Sequence, residues 1–191
     1  TARTHDLAAM MALGIVFLLQ PAHAITLSTA IVSVFACMVG GITPDIDQPT
    51  APFWRNLPVG KYFGRIFDLV SGGHRFLTHS LLGVAIAGFL AKSLLIFLSP
   101  IMPHTNVGLV WWAFLIGIIS HLFMDSFTKE GVPWLLPIPV KFGFNPVKKL
   151  RITTGKSIET RIVFPGLLIF NLLFYWANYN QILTILHKYI K

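Results

Sequence analysis

Long stretches of this chain carry no charged side chain at all. Ala24–Thr43 (AITLSTAIVSVFACMVGGIT) has none, and Val107–Phe127 meets its first ionisable groups, His121 and Asp125, only near its end. Ser80–Leu98 carries one charge, Lys92. Ile162–Leu186 has none, although Asn178-Tyr179-Asn180-Gln181 makes its second half interfacial. Leu7–Gln20 is shorter, and Thr4–Asp6 with Pro21 extends it most of the way across. A helix crosses a bilayer core with roughly 20 mostly apolar residues, and it alone satisfies its backbone within one segment. The expected fold is therefore an all-α, polytopic membrane helix bundle of about five transmembrane helices, with 1–191 as one membrane-embedded domain.

Composition agrees. Of the residues 54% are apolar and only 12% charged, about half the charge of an ordinary soluble domain, which argues against a soluble enzyme. One cysteine, Cys37, excludes a disulfide framework within the chain. Arg3, the apolar run Leu7–Leu19 and Ala22-His23-Ala24 also fit a signal peptide. His5-Asp6 is foreign to the start of one, so the run is read as a span.

Alternating spans place the loops on two sides. The N-terminus, Pro44–His79 and Thr128–Arg161 share one side and hold 12 of the 15 Lys and Arg. Lys188 and Lys191 lie on the other, and Lys92 lies within a span. The positive-inside rule puts the basic side and the N-terminus in the cytoplasm, with the C-terminus outside. These loops account for the net charge of +8 through contact with anionic headgroups. No nucleic-acid-binding motif accompanies them. Pro133, Pro137, Pro139 and Pro146 predict an extended or hairpin-like second loop.

The scarce acids and the histidines converge. His5, Asp45, Asp47, His74, His79, His121, Asp125 and Glu159 all fall at span ends on the basic side. His121 and Asp125 stand at i,i+4 on one helix face, a spacing that lets two ligands share a metal. Asp45 and Asp47 flank one residue, and an extended backbone would aim both carboxylates the same way. His74 and His79 precede a span that Thr78 or Ser80 can cap. Imidazole and carboxylate together suit zinc, manganese or iron, and so many groups exceed the needs of one tetrahedral zinc. Alone, a His-x-x-x-Asp is usually an intrahelical pair, PDID a helix-stopping turn and HRFLTHS an interfacial segment. Together, at one membrane edge, such groups are costly and functional by default. His23, His104 and His187 lie on the opposite side and are read as bystanders. Asp6, Asp68 and Glu130 are read as solvated or locally paired.

These motifs resemble one family. Pro44-Asp45-Ile46-Asp47, His74-Arg75-Phe76-Leu77-Thr78-His79-Ser80, His121-Leu122-Phe123-Met124-Asp125, Thr128-Lys129-Glu130-Gly131-Val132-Pro133 and Gly155 to Glu159, with the early His5, are similar in order and spacing to the YdjM family. Phe76 and Ala51 depart from residues usual there. The resemblance implies an inner-membrane, metal-dependent hydrolase with distant similarity to zinc-dependent phospholipase C and P1-type nucleases. That points to phosphoester hydrolysis of a lipid or other anionic amphiphile. His5, Asp45, Asp47, His74, His79, His121 and Asp125 are then the expected metal ligands, for two or more ions, most simply zinc. Glu159 is expected as ligand or general base. Arg75, helped by Lys156, would grip an anionic oxygen, and Asp47 joins Glu159 and Arg75 as a candidate catalytic group.

Three other readings compete. A metal-free, histidine-nucleophile lipid phosphatase would use Ser71-Gly72-Gly73-His74 and His121-x-x-x-Asp125, but its upstream Ser-Arg pair and Lys-x6-Arg-Pro are missing. A di-iron oxygenase would need His-x-x-His-His clusters. A metal-ion transporter would place its polar groups near the midplane, whereas these sit at an edge.

Overall fold

A computed structural model describes residues 1–19, 25–73, 75–138 and 140–189. It is helical throughout, with no strand among the described residues. Helix α1 spans Ala2–Leu19, α2 Leu27–Ile42, α3 Pro52–Arg55, α4 Gly60–Val70, α5 Leu81–Leu98, α6 Val107–Asp125, α7 Phe164–Ala177 and α8 Tyr179–Tyr189. A 3-10 turn, Pro44–Asp47, continues α2, and a π-helical turn, Glu159–Val163, opens α7. Five helical stretches are long and apolar enough to cross a membrane: Ala2–Leu19, Leu27–Asp47, Leu81–Ile101, Val107–Asp125 and Glu159–Ala177. The last ends earlier than the uncharged run alone indicates. Asn178 breaks it, its side-chain amide donating to the Phe174 carbonyl at 2.8 Å.

The bundle is organised around α6, which packs on α1, α2 and α5. Lipid removes the hydrophobic drive between helices, so close backbone approach at small residues holds membrane bundles together. Here a Cβ on Gly40 would strike the Phe114 carbonyl, and one on Gly117 would strike the Cys37 carbonyl and the Gly41 nitrogen. Ile118 and Leu122 fill the interface beside them and are fully buried. Helix α7 is pinned to α1 by polar bonds, Tyr175 donating to the Met10 carbonyl at 2.9 Å and Asn171 to the Leu7 carbonyl at 3.3 Å. The outward faces of α5 and α7 stay apolar and bare, Phe97 and Trp176 each 79% exposed, as surfaces meeting lipid should be. Lys92 places its ammonium 5.1 Å from the centre of the Trp111 ring.

Ser80 caps α5, accepting from the Gly83 amide at 3.0 Å. The segment after α6 folds back as the prolines predict, Val132 and Phe142 exchanging two backbone bonds of 2.9 Å. It closes on the bundle where the Leu81 amide donates to the Trp134 carbonyl at 3.0 Å. The start of α1, the end of α2, the start of α5, the end of α6 and the start of the α7 span therefore meet at one end.

Candidate metal centre

The α2–α6 crossing sets the first ligand geometry. Because Gly117 lets the backbones touch, the Gly41 carbonyl reaches His121 Nδ1 at 2.6 Å. A carbonyl only accepts, so the proton sits on Nδ1 and the Nε2 lone pair faces inward. Nε2 lies 3.6 Å from Asp45 Oδ1 and 3.7 Å from Asp125 Oδ2, one helical turn on. His5, from α1, stacks its ring on His121 with centroids 3.9 Å apart, and its Nε2 is 3.4 Å from Asp125 Oδ1. His79, just ahead of α5, points Nε2 at Asp125 Oδ2 from 3.4 Å and at Asp45 Oδ1 from 3.9 Å.

The two aspartates of the PDID turn part company. Their segment is a 3-10 turn started by Pro44, not the extended backbone that the spacing alone invited. Residues two apart in such a turn point about 120° away from one another. Asp45 faces His79 and His121. Asp47, fully buried, accepts from the Arg75 amide at 2.9 Å and from the Thr78 hydroxyl, and stands 3.6 Å from His79 Nδ1. Burial works against a charged His79, yet the carboxylates of Asp125 and Asp47 raise its pKa above the ordinary histidine value.

Among the described residues, several buried atoms here make no hydrogen bond: His5 Nδ1, His121 Nε2 and both carboxylate oxygens of Asp125, of which Oδ2 is ion-paired with Arg75. Leaving such a group unsatisfied costs about 1–3 kcal/mol each, and native interiors rarely tolerate it. His121 Nε2 and the Asp125 carboxylate are atoms a metal would take, and the His5 nitrogen beside them is Nε2. Two overlapping sets, His5–His121–Asp125 and Asp45–His79–His121, bring one ligand atom from each member within 4.8 Å of the others. The donor set of neutral imidazoles and carboxylates fits a divalent ion of the zinc, manganese or iron class.

The remaining expected residues surround these sets. Arg75 is buried in a left-handed conformation, φ 60°. Its Nη2 pairs with Asp125 Oδ2 at 2.8 Å, too oblique for a hydrogen bond, while Nη1 donates to Thr128 Oγ1 at 2.9 Å. Its Nε lies 3.3 Å from Glu130, which is exposed. Glu159 stands apart from both ligand sets. It accepts from Thr4 Oγ1 at 2.8 Å, from the Gly155 amide at 2.6 Å and from the Thr1 nitrogen. Glu159 and His5 both line a cavity of about 250 Å³, whose almost entirely apolar wall includes Phe127, Val163 and Leu167 beside Thr4 and Thr128. Lys156 is exposed. His74, an expected ligand, and His23, an expected bystander, lie outside the described residues.

Residue-type reasoning overlooked four contributors. The Gly41 carbonyl orients His121, Thr78 engages Asp47, Thr4 holds Glu159, and Thr128 holds Arg75. Thr128, first residue of its T-x-x-GVP motif, and Thr78, within HR-x-x-THS and read only as a possible cap, carried a signal; Gly41 and Thr4 carried none.

No solved structure matches the chain. Over 143 residues it is 28% identical to the uncharacterized protein YvsG of Bacillus subtilis (strain 168), covering 74% of this chain and 77% of that one. The model of the YdjM inner membrane protein family matches residues 1–184. With nearly its whole length matched and five membrane-spanning helices converging on one polar centre, this chain belongs to the YdjM inner membrane protein family.

Proposed function

We propose that this protein is a membrane-bound, metal-dependent hydrolase acting on a phosphoester of a lipid or other anionic amphiphile. The observation that carries the reading is the buried convergence of ligand atoms from His5, His121 and Asp125, in which His121 Nε2 and the Asp125 carboxylate make no hydrogen bond among the described residues. His5, Asp45, His79, His121 and Asp125 would hold the metal. Asp125 would complete the set with His5 and His121, while Asp45 and His79 would form the other with the shared His121. Bound zinc supplies a water of pKa about 7 and a clamp for phosphoryl oxygens.

The chain's own groups have separable tasks in this account. Asp47 is a positioning residue, holding the Arg75 loop through its amide and facing His79 Nδ1. Arg75 keeps Asp125 in place, and its buried Nε edge faces the carboxylate of Glu130. Glu159, which lines the cavity with His5, would move a proton to or from the group seated there. The cavity beside His5 is almost entirely apolar in its lining, which suits the hydrocarbon part of an amphiphile. Twelve of the fifteen basic side chains lie on the loops at the centre's end, which supports a cytoplasmic centre, a cytoplasmic N-terminus and an outside C-terminus.

The test is purified protein in nanodiscs, with metal counted by mass spectrometry and phosphoesterase activity followed on a panel of lipid phosphoesters. The expected result is about two ions per chain and hydrolysis abolished by chelator and restored by zinc. Unchanged metal content in His121→Ala would overturn the reading. Chelator-insensitive hydrolysis would favour the histidine-nucleophile alternative.

A further inference from the structure

Helix α4 lies between the PDID turn and the loop that carries Arg75, and it has three unlike sides. At about 100° per residue, Gly60 and Gly64 share one side. A Cβ on Gly60 would meet the Trp54 carbonyl, and one on Gly64 would approach Pro49 and the Trp54 ring at 2.9 Å. That side is packed against the protein. Lys61, Arg65 and Asp68 form the second. Tyr62, Phe63, Ile66, Leu69 and Val70 form the third, and nothing among the described residues covers it: Leu69 is 85% and Val70 77% exposed.

Exposed apolar patches of this kind mark an interaction surface. The position of α4 indicates the occupant. The helix connects the end of the α2 span to the start of α5, so it lies where the bundle leaves the bilayer. The other loop at this end has the same composition, with exposed Ile138, Val140 and Phe144 beside Lys141, Lys148 and Lys149. One bilayer boundary accounts for both. An apolar side flanked by Lys and Arg is the pattern of a helix lying in the headgroup plane, with the cations toward anionic lipid.

We propose that α4 is an interfacial helix, seated in the headgroup layer with Tyr62, Phe63, Ile66, Leu69 and Val70 in the acyl boundary and Lys61 and Arg65 on anionic headgroups. This seat is coupled to the metal centre. Trp54, packed under Gly64, donates its indole N–H to the Ile46 carbonyl at 2.6 Å, between Asp45 and Asp47. At its other end α4 runs directly into the glycine turn before Arg75. The membrane surface therefore sets the depth of both loops that build the centre, and a lipid headgroup would reach it by lateral movement in the leaflet. That last consequence rests on the hydrolase reading, whereas the seat itself does not.

Single cysteines at Leu69, Val70, Lys61 and Arg65, spin-labelled in nanodiscs containing anionic lipid, test it. Cys37 is buried and can stay. Labels at 69 and 70 should show a several-fold higher ratio of oxygen to nickel-chelate collisions than labels at 61 and 65. Equal nickel access at all four sites would overturn the proposal. So would shielding of 69 and 70 from both reagents, which would mean a protein surface covers that side. Metal content of the same samples separates the two ideas. The collision pattern on metal-free protein supports the seat and defeats only the metal reading, and metal without the pattern does the reverse.

Discussion

The two ends of the bundle are built from similar residues and finish differently. At the far end Thr26, Ser28, Thr29, His104 and Asn106 meet. Thr26 caps α2, Ser28 donates to the His104 carbonyl at 2.8 Å, and Thr29 accepts from the Asn106 amide at 2.9 Å. Asn106 caps α6 through the amides of Gly108 and Leu109. These side chains satisfy the backbone groups that helix ends leave over. At the near end the polar groups are more deeply buried, and the caps are made by other residues. What remains, His5 Nδ1, His121 Nε2 and the Asp125 carboxylate, serves no helix terminus. Polar residues at a membrane edge are therefore not evidence of a site in themselves. Groups left over after the helix ends are satisfied are.

The sharpest way to break this contrast is His121→Ala. It removes the nitrogen common to both ligand sets and leaves Asp45 and Asp125 facing each other without it. Bound metal should fall below detection, read by mass spectrometry on protein that still elutes as the folded species. A variant that keeps its metal would mean the near end is as self-contained as the far one.

Asp47 comes next, because its position separates ligand from support. Altering a residue that orients a ligand typically weakens metal affinity about 10–100-fold. Asp47→Ala should do this and also lower the melting temperature, since the buried Arg75 amide loses its acceptor. Asp47→Asn keeps a carbonyl for that amide, so it should recover the stability while the affinity stays reduced. Complete loss of metal in Asp47→Asn would show that Asp47 is itself a ligand.

The distribution of these roles was only partly readable in advance. Span polarity carried the fold, because uncharged runs and one-sided basic loops follow from bilayer physics. It also carried the convergence of five helix ends, since alternating spans must return to the same side. The divergence of Asp45 from Asp47 was hidden, because a period-two pattern reads alike in strand and 3-10 turn until Pro44 and the contacts of Trp54 settle the backbone. The Gly41 carbonyl carries no residue-type signal at all. What the sequence did contain was Gly40-Gly41 and Gly117, whose missing side chains mark a close crossing without saying what it aims. Glu130, read as solvated or locally paired, stands beside the buried Arg75 while remaining exposed.

That crossing gives the third prediction. Gly117→Val would push a branched side chain into the Cys37 carbonyl and the Gly41 nitrogen. Overpacking of this sort costs about 1–3 kcal/mol, measurable as a lower unfolding midpoint in detergent. Because the same contact places the Gly41 carbonyl on His121, metal affinity should fall with stability. Loss of stability with unchanged affinity would show that His121 keeps its orientation without Gly41.

The smallest expected effect is at the far end and supplies the control. Asn106→Ala deletes the α6 cap, worth about 1 kcal/mol, and leaves the amides of Gly108 and Leu109 without their side-chain acceptor. Water or headgroups reach that exposed turn, so the cost should not exceed an ordinary cap. Metal content should match wild type, because α6 is gripped along its length by the glycine contacts with α2 before it reaches His121. A modest drop in unfolding midpoint with full metal occupancy would confirm that the two ends are energetically separate. Loss of metal in Asn106→Ala would instead mean that α6 shifts along its axis as a unit, and that the cap at one end sets the register of the ligands at the other.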